Sequence, residues 1–68
     1  MIVYRLYLAR ENTYCKRYVL TDIEEAYQII NNLPEYDEYL IIQEDTELKQ
    51  DEVLAYGKVP KKKKIRKK

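Results

Sequence analysis

Hydrophobic and polar positions alternate one for one at the start of the chain. In "IVYRLYLA", Ile2, Tyr4, Leu6 and Leu8 fall on one side and Val3, Arg5, Tyr7 and Ala9 on the other, the period of a half-buried β-strand. "RENT" interrupts the pattern, and "YCKRYVL" resumes it with aromatic and β-branched side chains, so residues 2–20 predict a hairpin. The sequence leaves its register open. An even offset puts Tyr14, Lys16 and Tyr18 on the face of Arg5 and Tyr7, whereas a slip by one residue puts Cys15, Arg17 and Val19 there.

The period then changes from two to 3.6. In "TDIEEAYQIINNLP", Ile23, Ala26, Tyr27, Ile30 and Leu33 make one apolar stripe, the mark of an amphipathic helix. Thr21 is the expected cap, with Glu24 reaching back three residues later, and Asp22, Glu24 and Glu25 suit the positive end of the helix dipole. Pro34 disfavours helical geometry at Leu33 and ends the element. "EYLIIQ" at 38–43 is more continuously apolar and predicts a central, buried third strand. "DTELKQDEVLAYGKV" fits a final strand in which Val53, Ala55 and Gly57 alternate with Leu54, Tyr56 and Lys58, although its charged first half also suits a helical turn. The order strand, strand, helix, strand, strand implies a small two-layer α+β sandwich, an order shared with the β-grasp arrangement.

Length limits what such a body can hold. Of the 68 residues, 1–57 are expected to form the compact domain and 58–68 a flexible basic tail too charged to join a core. A domain of that size hides only about 60% of its unfolded surface and keeps roughly 3–5 kcal/mol of net stability. A deep substrate cavity is not expected, and function should lie on the surface.

Charge alters the picture more than overall composition does. The net charge of +1 conceals a mildly basic start, an acidic middle and a strongly basic end. Residues 1–20 hold four cations against one carboxylate, whereas residues 21–57 hold eleven carboxylates against one lysine. The chain has no His, no Ser, one Cys and one Gly, which excludes catalytic triads, glycine-rich phosphate loops and ordinary zinc sites. Cys15 stands beside Lys16 and Arg17, an electropositive setting for a thiolate, but a single cysteine in a short strand reads as packing. The acidic runs "EYDEY" and "QEDTELKQDE" lack the glycine and the alternation of a calcium loop. No enzyme, cofactor or metal is expected. The pattern predicts neither a signal peptide nor a membrane span, and the solitary cysteine suits a reducing compartment, cytoplasmic or, in a eukaryotic host, nuclear.

Two binding readings remain. In the first, Lys61, Lys62, Lys63, Lys64, Arg66, Lys67 and Lys68 contact the phosphates of RNA or DNA without reading sequence, with Arg5, Tyr7 and Lys16 as a second surface on the sheet. Tyrosines between cations can stack single-stranded bases, although the eight tyrosines also stand in for absent Phe and Trp in a core. The same tail resembles a short basic nuclear import signal and would attract an anionic membrane; as a plain solvated extension, it could also fold back on the acidic middle. In the second reading, Asp22, Glu24, Glu25, Asp37, Glu38, Glu44 and Asp45 form an acidic face that imitates nucleic acid and occupies a basic protein partner, as phage-type inhibitors do. A homodimer through an exposed sheet edge is compatible with either.

Overall fold

The structure, a computed structural model, describes residues 1–60. Five elements follow one another: β1 (Ile2–Arg10), β2 (Thr13–Leu20), α1 (Ile23–Asn32), β3 (Glu38–Asp45) and β4 (Gln50–Lys58). The four strands form one sheet in the order β2-β1-β3-β4, with every neighbouring pair antiparallel. The two-layer α+β body expected from the pattern is therefore present. Since β2 and β3 both run against β1, they run parallel to each other on either side of it. The chain must cross β1 to get from one to the other, and α1 makes that crossing.

The first turn explains the hairpin. Glu11 and Asn12 both have positive φ, 55° and 67°, the handedness that a two-residue loop needs to match the twist of its strands. Asn tolerates this region well and Glu poorly. The Glu11 amide is held by the Asp37 carboxylate at 2.9 Å, which ties the turn to the segment entering β3.

The core lies between the helix and one face of the sheet. Leu6, Leu8 and Ile41 from the strands meet Ala26 and Ile30 from the helix, all almost wholly buried. Tyr4, Tyr18, Leu20, Tyr39 and Ala55 on the same sheet face, and Ile23, Ile29 and Leu33 from α1 and its end, pack around them. Tyr27, expected in the apolar stripe, is half exposed and meets Tyr39 edge to face, with ring centroids 6.5 Å apart. Tyr39 in turn lies over Gly57 on β4, where an added Cβ would meet its hydroxyl at 3.3 Å. A tyrosine pair thus carries the helix layer across to the far strands.

Four local expectations change. The helix is capped by Asp22, whose carboxylate accepts from the Glu24 amide at 3.0 Å, rather than by Thr21. The charged stretch before β4 is a four-residue turn, and Asp45 Oδ1 fixes it by accepting from the amides of Glu47 and Leu48. The alternation in β4 breaks at a bulge: Ile41 faces Ala55 but Ile42 faces Val53, so Leu54 is the extra residue and Val53 no longer shares a side with Ala55. The body also runs past residue 57. Lys58 ends β4, and Val59 is 3% exposed within the core cluster, its amide bonded to the Asp37 carbonyl.

Candidate functional site

Two faces of one sheet can be assigned from the register. Leu6, Leu8 and Ile41 lie under the helix, so their neighbours Val3, Arg5, Tyr7, Leu40, Ile42 and Glu44 point to the opposite side. From β2 this side receives Val19 and Arg17, the partners of Arg5 and Tyr7, and from β4 it receives Asp51, Val53 and Tyr56. No element among the described residues covers it. Tyr7, Leu40 and Ile42 are consequently half-buried, Val19 and Val53 are more than half exposed, and Tyr56 is 75% exposed.

The sequence placed "EYLIIQ" deep in the protein because a continuous apolar run suits a strand covered on both faces. Among the described residues only one face is covered. Ile41 is fully buried, whereas Leu40 and Ile42 wait on the uncovered side, and the sequence reading accordingly missed them, along with Val53 and Tyr56, as surface residues.

A bulge in β2 settles the hairpin register in an unforeseen way. Leu8 faces Lys16 but Ala9 faces Tyr14, which leaves Cys15 as the extra residue. Arg17 and Val19 therefore share the open face with Arg5 and Tyr7, and beyond the bulge so does Tyr14, whose ring meets that of Tyr7 edge to face at 6.2 Å. Lys16 does not join them. It lies on the helix side with its ammonium 5.8 Å from the Tyr18 ring centroid, so the proposed Arg5, Tyr7 and Lys16 cluster is not assembled.

Arg5 sits in the middle of the open face with its charge already engaged. Its Nη2 donates to Asp51 Oδ2 at 2.8 Å, its Nη1 to the Tyr7 hydroxyl at 3.2 Å, and its Nε lies 3.2 Å from Glu44 Oε1 without hydrogen-bond geometry. The Asp51 hydrogen bond raises the guanidinium pKa above its ordinary value, partly opposed by burial, and Tyr7 adds to the rise. Glu44 and Asp51 are direct cross-strand partners, a repulsive pairing that Arg5 relieves from β1.

The acidic set divides in a similar way. Asp22 caps the helix, Asp37 holds the hairpin turn, Asp45 shapes the β3–β4 turn and Glu44 pairs with Arg5. Four of the seven carboxylates expected to face a partner are thus employed within the fold. They also lie at two ends: Glu38 is opposite Ala9 near the hairpin turn, whereas Glu44 and Asp45 are opposite Val3 and Ile2 at the other end of β1. Among the described residues, no three metal-ligating side chains converge and no helix is long and apolar enough to cross a membrane. The basic residues Lys61, Lys62, Lys63, Lys64, Arg66, Lys67 and Lys68 lie outside the described residues. Comparison of the chain with protein-family models, curated proteins and solved structures gave no significant match.

Proposed function

We propose that this protein is a non-enzymatic binding module that takes an apolar surface of a protein partner on its open sheet face. The observation that supports this reading is the makeup of that face: Leu40, Ile42, Val19, Val53, Tyr7 and Tyr56 surround Arg5, whose charge two carboxylates already engage, and the other arginine of the face, Arg17, lies out on the edge strand β2. A phosphate backbone would have to displace Asp51 and Glu44 to reach Arg5. An apolar protein surface need not, and it would cover side chains that water now touches at a cost of about 25 cal/mol per Å².

Strand spacing gives the face a width of about 19 Å, and seven or eight residues give it a length of about 25 Å, roughly 450 Å² in all. Stable complexes bury about 800 Å² on each partner, so the rim must contribute or the complex is transient. Association with nucleic acid is a second reading, supported by the seven basic residues among the last eight. It assigns the tail an affinity that falls steeply with salt, and leaves specificity to the sheet face.

Photo-crosslinking from position 56 separates the two. With a photoreactive amino acid replacing Tyr56 in the full chain and, as a control, replacing Glu35 in the loop after the helix, the proposal expects a discrete protein adduct from position 56 alone. Adducts to nucleic acid only, or the same adducts from both positions, would contradict it.

A further inference from the structure

A second surface lies on the other side of the molecule, where β2 forms one edge of the sheet. An edge strand presents unpaired backbone donors and acceptors, which only another extended chain can satisfy in register. Beside this edge runs an open groove of about 440 Å³ between β2 and α1, lined by Tyr18, Ile29 and Leu33 with Glu25, Gln28 and Asn32 along the helix. A strand laid against β2 would point every second side chain into that groove, and the groove has an apolar floor to receive one.

Charge narrows the occupant. The edge carries Lys16 on the helix side and Arg17 on the open side, and neither has an ion-pair partner among the described residues. Two copies of β2 meeting edge to edge would oppose these cations, and the Cys15 bulge further disfavours such pairing. An acidic segment meets attraction where a second copy meets repulsion. The acidic edge of this chain's own β4 is a poorer fit, because its helix-side residues Glu52, Ala55 and Gly57 would leave the groove floor uncovered.

We infer that the β2 edge and the β2–α1 groove bind an extended peptide of a partner protein, adding it as a fifth strand, with an apolar side chain over Tyr18, Ile29 and Leu33 and an acidic one on the opposite side, beside Arg17. This site meets the open face only at Arg17, and its groove lies on the helix side of the sheet.

The test titrates the isotope-labelled full chain with a synthetic peptide that alternates Val or Ile with Asp or Glu, and with a second peptide carrying Lys at the acidic positions. Expected are amide shifts concentrated on Lys16 to Leu20 and side-chain shifts at Ile29 and Leu33 with the acidic peptide. The K16E/R17E double variant should bind it at least tenfold more weakly, and Ile29→Gln should also weaken binding while the remaining spectrum is preserved. Shifts confined to residues 61–68 would assign the attraction to the tail and overturn the inference. Equal binding of the Lys peptide, indifference to K16E/R17E, or concentration-dependent self-assembly that excludes the peptide would overturn it as well.

Discussion

The two faces of the sheet are built from the same four strands, with similar residues, and come to different ends. On the covered face Leu6, Leu8 and Ile41 are dry and locked against Ala26 and Ile30. On the open face Leu40, Ile42 and Val53 have comparable chemistry but face water, around an arginine held by two carboxylates. The difference lies in the topology. One ten-residue helix crosses from β2 to β3 on one side only, so among the described residues a sheet whose central strand is apolar on both sides obtains a single cover. The buried core lies on one face, and among the described residues the second stays uncovered.

Substitution in matched pairs breaks this comparison most severely. Leu6→Ala removes a fully buried side chain and should cost about 2–5 kcal/mol, enough to unfold much of a domain whose net stability is about 3–5 kcal/mol. Val53→Thr on the open face should change stability by less than about 0.5 kcal/mol while weakening partner capture. Thermal and urea unfolding of the two variants measures the contrast, and equal losses would mean that the open face also supports the fold.

The central arginine sharpens the contrast at a smaller scale. Arg5→Met should cost about 1 kcal/mol, since two partly exposed ion pairs contribute a few tenths each and the Glu44–Asp51 repulsion returns. Adding Glu44→Gln and Asp51→Asn should restore most of that loss. If Arg5→Met alone leaves stability unchanged, the arginine is not the neutralising centre described here.

The cap of the covering helix comes next. Asp22→Ala should cost about 1 kcal/mol through the lost bond to the Glu24 amide, whereas Thr21→Ala should cost almost nothing. The reverse order would favour the capping box expected from sequence. The smallest effect belongs to the hairpin turn, where Glu11→Asn should stabilise by about 0.5 kcal/mol because Asn accepts a positive φ more readily. A loss at this position would show that the Glu11 side chain does more than fill the turn.

Much of the fold was legible because it rests on periodicity. The alternation in residues 2–9, the helical stripe from Ile23 to Leu33 and the apolar run of β3 each followed from side-chain spacing alone. The site was far less legible, since two bulges govern it. Cys15 and Leu54 each add one residue to an edge strand, and no local signal marks either position, yet they decide that Tyr14 and Val53 face outward and that Lys16 does not. Carboxylate roles were hidden for a related reason. Asp22, Asp37 and Asp45 each bind backbone amides, and such partners are fixed by the path of the chain rather than by composition. Val59 shows the same limit at the end of the body, where one apolar residue beside a lysine run proves to be core.

The division of labour between the faces is tested most directly by amide chemical-shift mapping of the full chain against the protein captured through position 56. Perturbations gathered on Arg5, Tyr7, Leu40, Ile42, Val53 and Tyr56, with the helix from Ile23 to Asn32 unmoved, are the predicted result. Perturbations gathered on the helix or on residues 61–68, with the open face silent, would contradict it.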